Sequence, residues 1–109
     1  MQTGDIIVVD FPFSNYSDSK VRPAVVVNVT KDKYKDVIVC FIGSVIPPSA
    51  INDQEIILYP NPINNLRSVS IIKVYRIATI KNSFIASVIG KLDDFQLKEF
   101  KSLFKSLVD

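Results

Sequence analysis

Gly4-Asp5-Ile6-Ile7-Val8-Val9-Asp10-Phe11, then after a polar segment Lys20-Val21-Arg22-Pro23-Ala24-Val25-Val26-Val27, is the stretch whose reading decides the fold. Both halves are rich in β-branched residues, whose stiff side chains suit a pleated surface better than a helix. Ile6 to Asp10 reads as a first strand, which Pro12 ends because it cannot donate to a ladder. Ser14 to Lys20 holds turn formers and charge apart from Tyr16, and reads as an exposed loop. Arg22-Pro23 then opens a second strand, Ala24 to Val29, apolar on both faces and therefore central and well covered.

Further along, Lys31 to Asp36 is a polar turn and Val37 to Ile42 another fully apolar strand. A break follows at Gly43-Ser44, and Pro47-Pro48 forces an extended loop. Glu55 to Tyr59 and Ser68 to Tyr75 read as strands, separated by the turn chemistry of Pro60-Asn61-Pro62 and Asn64-Asn65. Ile77 to Ile80 continues the second of these after a bend. Ser83 to Ile89 reads either as a strand or as a short helical turn.

The last element is the clearest. Asp93 is an N-cap with Gln96 three residues on as its capping-box partner. Leu97, Phe100, Leu103, Phe104 and Leu107 recur at helical spacing, with Lys98, Lys101 and Lys105 on a different, wet face. Five or more short strands and one amphipathic C-terminal helix make a mostly β chain. They imply a small curled sheet or barrel whose open edge or face the helix covers.

Bulk composition narrows the chemistry. The 109 residues fit one domain, 1–109, and 48% hydrophobic residues suffice for one core. A net charge of +2 is too small to imply nucleic-acid binding by itself. Cys40 is the sole cysteine and sits in an apolar strand, so it reads as a small buried hydrophobe, and no internal disulfide can form. The count of His is 0, which removes catalytic triads and paired-histidine nuclease sites. Neither a Cys/His metal cluster nor a glycine-rich phosphate loop is present, so neither metal nor cofactor is expected. The polar, acidic start and the lack of an apolar run near the ~18 residues of a membrane span point to the cytoplasm.

What remains for chemistry is Arg, Lys, Ser, Thr, Asp and Tyr. Those groups suit phosphoryl chemistry driven by positioning and charge stabilisation. Asp18-Ser19-Lys20-Val21-Arg22 delivers an arginine to the mouth of a buried strand, with Pro23 stiffening the backbone behind it. A guanidinium held there can grip a phosphate through two parallel hydrogen bonds. By composition alone, Arg22 reads as an ordinary surface arginine at a strand start.

The ordered pieces Gly4-Asp5-Ile6 and Arg22-Pro23-Ala24 resemble the N-terminal signature of the MazF/PemK toxins. Val39-Cys40-Phe41-Ile42-Gly43-Ser44 is similar to their strand ending in a Thr-Ser pair. Thr79-Ile80 with Ser83-Phe84-Ile85 is similar to the stretch around their R-T-I-D element, and Ile89-Gly90-Lys91-Leu92 to their C-terminal end. The resemblance implies an SH3-like barrel with a helix, a homodimer, and sequence-selective, metal-independent cleavage of single-stranded RNA by 2′-hydroxyl attack. It also implies a cognate antitoxin that covers the site.

Carried over by position, the resemblance makes Arg22 the residue that stabilises charge on the scissile phosphate. The family's catalytic Thr falls at Gly43, leaving Ser44 as the candidate hydroxyl. The Arg and Asp of R-T-I-D fall at Ala78 and Lys81, so Arg76 and Lys81, beside Thr79, are candidate sources of positive charge. Lys20, Ser19 and Asp18 are candidate substrate contacts from the loop, Asp18 either orienting a cation or simply solvated. Tyr16 either stacks on a base or rests on the protein surface. Phe13 with Pro47-Pro48 is a candidate antitoxin groove. Phe95 and Phe100 are candidate partner contacts, with core packing the default for Phe100. The alternative to a nuclease is a catalytically weakened relative that binds RNA or an antitoxin without cutting; a generic interaction module ranks behind both.

Overall fold

The computed structural model describes residues 1–11, 20–44 and 51–108, with backbone alone at 11, 20 and 44. Among these residues six strands form one antiparallel sheet: β1 (Asp5–Phe11), β2 (Lys20–Val29), β3 (Val37–Ser44), β4 (Glu55–Leu58), β5 (Ser70–Ile80) and β6 (Ile85–Lys91). A helix, α1 (Asp94–Ser106), follows. The sheet order is β4-β5-β3-β2-β1-β6. The mostly β fold with a C-terminal helix is therefore as the sequence implies. Among the described residues the sheet does not close: β4 and β6 stand at its two edges, so of the curled sheet and the barrel that the sequence allows it is the former. Among the described residues no helix is long and apolar enough to cross a membrane.

β2 begins at Lys20, expected in the loop, and not at Ala24, because Lys20 and Val21 pair with Phe11 and Asp10. Three further local points have physical causes. No break occurs at Gly43, because β3 runs on to pair Gly43 with Ile71 and Ser44 with Ser70. The bend expected within β5 is real, but the strand is continuous from Ser70. Its pairing shifts from Cys40↔Ile77 to Ile42↔Ile72, so β5 carries extra residues there, which bends it between β3 and β4. Ser83 to Ile89 proves to contain both alternatives, a single 3-10 turn at Asn82–Phe84 followed by β6.

The apolar faces of β1, β2 and β3 split by alternation into two clusters. Ile6, Val25, Cys40, Ile72 and Phe100 belong to the one beneath α1. Ile7, Val9, Ala24, Val26, Val37 and Val39 form the other. That is why these strands are apolar on both sides. Helix α1 begins at the capping box: the Gln96 amide donates to Asp93 Oδ1 at 2.7 Å and the Asp93 amide donates to Gln96 Oε1 at 3.4 Å. It buries Phe100 to 1% exposure, while Phe95 stays 75% exposed.

Gly4 seats the helix. Its φ of +93° is disfavoured for any other residue, and a Cβ there would lie 2.7 Å from Leu97 Cδ1. Its amide donates to the Val26 carbonyl and its own carbonyl accepts from the Leu92 amide. The signature glycine thus ties β1, β2 and the start of α1 together.

Candidate functional site

The site originates in a proline. Pro23 lies in β2, between β1 and β3, where a proline removes a ladder donor. It pairs with Val8 on the β1 side, whereas the ladder to β3 stops one residue later, at Ala24↔Phe41. Beyond that point the ends of β2 and β3 border a cleft of about 1000 Å³. Val21, Arg22 and Pro23 line it from β2, Ile42 and Gly43 from β3, and Val8, Ser87 and Ile89 from β1 and β6. Counting the same register onward would set Gly43 opposite Arg22; both residues border the opening.

Another wall is the segment Asn65-Leu66-Arg67-Ser68, with Ser70 at the start of β5. This wall is irregular in backbone yet firmly held. Asn61 Oδ1 accepts from the amides of Ile63 (2.8 Å) and Asn64 (2.7 Å), a side chain mimicking a turn. Asn64 is fully buried and satisfied: its Oδ1 accepts from the amides of Asn61 (3.1 Å) and Leu66 (3.0 Å), and its Nδ2 donates to the Tyr59 carbonyl (2.9 Å). The segment is then stapled to β6. Asn65 Nδ2 donates to the Ile89 carbonyl at 2.6 Å, and the Lys91 amide donates to the Ile63 carbonyl at 3.1 Å. Gly90 permits this approach, since a Cβ there would lie 2.5 Å from the Ile63 oxygen and 2.6 Å from the Asn64 oxygen.

The lining includes two arginines, Arg22 and Arg67, and no Asp or Glu among its described residues. Both are exposed, and neither forms an ion pair with another described residue. Ser70 Oγ is committed to the Ser68 carbonyl at 2.9 Å. Cys40 stands apart: its Sγ donates to the Val74 carbonyl at 3.2 Å, and burial pushes its thiol up to about 12, which rules out a thiolate nucleophile. Among the described residues, no group of three or more His, Cys, Asp or Glu could hold a metal ion.

A family model described as PemK-like, MazF-like toxin of type II toxin-antitoxin system matches residues 2–108. The chain belongs to this toxin family. A search of curated proteins finds no match.

In this PemK-like toxin the sequence-derived site residues separate into groups. Arg22 lines the cleft. Ser44 is placed by its backbone opposite Ser70, and Lys20 opposite Phe11. Tyr16, Asp18 and Ser19 lie outside the described residues, as do Phe13 and Pro47-Pro48. Arg76, Thr79 and Lys81 are exposed and do not border the cleft. Thr79 pairs with Ile38 near the start of β3, whereas the cleft lies at the β3 end, so most of β5 separates Thr79 and Lys81 from it, and Arg76 stands partway along the strand. Ala78, where the resemblance places the family's arginine, pairs with Val39 and packs on the second apolar cluster.

Arg67 is the residue sequence reasoning passed over. Its signal was a cation directly after the Asn64-Asn65 turn, but a turn motif by itself does not reveal which way a neighbouring side chain will face.

Proposed function

We propose that this toxin is an endoribonuclease that cuts single-stranded RNA at the Arg22 cleft. The observation that carries the reading is a cleft with two guanidiniums and no carboxylate among its described lining residues, in a chain of the PemK-like, MazF-like family. An RNA strand is a polyanion with apolar base faces, and the cleft joins cations to Val21, Pro23, Leu66 and Ile89.

In the proposed reaction the ribose 2′-oxygen attacks the adjacent phosphorus and the bond from phosphorus to the 5′-oxygen breaks. The proton lost by the 2′-hydroxyl is matched by one gained at the leaving 5′-oxygen, giving a 2′,3′-cyclic phosphate and a 5′-hydroxyl. Arg22 stabilises charge on the phosphoryl oxygens as the transition state forms. DNA lacks the nucleophile and is spared. The same proposal includes a homodimer acting in the cytoplasm and a cognate antitoxin whose acidic segment covers the cationic cleft.

The test compares wild type with Arg22→Ala on single-stranded RNA in the presence of EDTA. Wild type should cut RNA and leave the 2′-deoxy strand intact. Arg22→Ala should lower the rate by ~10²–10³-fold while the fold survives. Intact RNA at high protein concentration would end the nuclease reading.

A second reading, binding without efficient cutting, is favoured by Gly43, where the family's hydroxyl is missing. A Cβ at Gly43 would meet the flexible end of Lys73, Cε at 3.4 Å and Nζ at 3.6 Å, at ordinary van der Waals distance. If the absent hydroxyl limits the rate, Gly43→Thr should raise cleavage by tenfold or more, on the order of one hydrogen bond to a charged group. An unchanged rate would show that Arg22 works without it.

A further inference from the structure

We propose that Arg67 is a positioning residue that holds a second backbone phosphate of the strand whose scissile phosphate lies at Arg22. The inference rests on the RNA reading of this cleft and extends it to a ligand that must carry at least two phosphates.

Three observations lead there. Arg67 borders the same cleft as Arg22 but from the Asn65-Leu66-Arg67-Ser68 segment, a different part of the chain. That wall is built in advance. The buried Asn64 amide satisfies three backbone groups, Asn65 ties the segment to β6, and Gly90 lets the two backbones approach to a distance no side chain would allow. A cation on a preformed wall loses less freedom on binding than one on a loose loop. Finally, two like charges line one opening with no described carboxylate between them. Two separate cations on one opening are matched by a ligand with several negative charges, which a single phosphate meets only in part.

The two arginines then divide the work. A contact at the reacting phosphate strengthens as charge develops, so it acts on kcat. A contact at a remote phosphate is equal in ground and transition states, so it acts on KM. The apolar residues between the walls, Pro23, Leu66 and Ile89, suit the ribose and base that join two phosphates.

The experiment compares wild type, Arg67→Gln and Arg67→Lys. Cleavage is measured on a dinucleoside monophosphate, which carries one phosphate, and on a hexanucleotide. Binding of an uncleavable 2′-O-methyl hexanucleotide is followed across a salt series. Arg67→Gln should raise KM for the hexanucleotide ~10-fold with kcat nearly unchanged, and leave the dinucleoside monophosphate unaffected. The slope of log affinity against log salt should fall by about 0.7, the value of one contact on a single strand, and Arg67→Lys should restore it.

If wild type cuts RNA but Arg67→Gln alters neither KM nor the salt slope, the second-phosphate site is overturned and the nuclease reading stands. An equal loss on both substrates also overturns it, because Arg67 would then act at the scissile phosphate or on the shape of the cleft. If wild type does not cut but binds the 2′-O-methyl strand with an Arg67-dependent slope, this inference survives and the nuclease reading fails. Absence of both cutting and binding overturns both.

Discussion

The two ends of one sheet face have opposite fates. At one end, Ile6, Val25, Cys40 and Ile72 are sealed under α1 by Phe100, Leu97, Leu103 and Phe104. At the other, Val8, Pro23 and Ile42 border an open cleft faced by an asparagine-held wall. The same strands supply both ends with similar apolar residues. The difference lies in what comes to cover them. A helix with an apolar stripe makes core, whereas an irregular wall held by side-chain amides leaves room and presents a cation. Core and site are thus decided by the covering element and not by the strand beneath.

Changes at the sealed end should cost stability and changes at the open end should cost function. Phe100→Ala removes the largest fully buried side chain among the described residues and should lower unfolding stability by ~3–5 kcal/mol, read from urea denaturation. Arg22→Ala, on an exposed residue, should stay within ~0.5 kcal/mol of wild type in the same measurement while losing cleavage. Equal stability losses for the two variants would break the comparison.

Gly90→Ala tests the seam. Its new methyl would press on the Ile63 and Asn64 carbonyls, so a loss of ~1–3 kcal/mol is expected. Because those carbonyls carry the Arg67 wall, KM for a long RNA should rise as well. A stability loss without a change in KM would uncouple the wall from the cleft.

The smallest effect is at Cys40. Burial raises its thiol from 9.0 to about 12, so the folded chain keeps a proton that the unfolded chain releases first. The folded state therefore binds more protons across that window, and stability, complete below 9.0, should decline as pH rises towards 12. Urea midpoints at pH about 8 and about 10.5 should differ less in Cys40→Ala than in wild type. A thiol reagent should leave the native protein unmodified at neutral pH; rapid modification would contradict the sealed end.

Much of the fold was legible because its signals are local. β-Branched runs and the Asp93/Gln96 box each act within a few residues, and both marked real elements. Alternation could not show where β3 and β5 would shift register, because a bulge is set by the neighbouring strand. Nor could the closure of the sheet be read, since edges exist only once strands have found their order.

The site divides along the same line. Arg22-Pro23 was conspicuous because proline acts on its own strand. Arg76 and Lys81 drew attention by proximity to the R-T-I-D-like stretch, yet β5 carries them away from the cleft. Arg67 was silent because its orientation depends on Asn64, Asn65 and Gly90 meeting across two elements.

The sequence by itself determined the strands, the helix with its cap, and an arginine held against a proline, since each rests on covalent geometry or on contacts a few residues apart. Tertiary structure alone decided which end of the sheet stays open and which second cation shares the cleft with Arg22. Those outcomes need residues far apart in the chain to come within hydrogen-bond distance, and that happens only after the strands are ordered and the helix is seated.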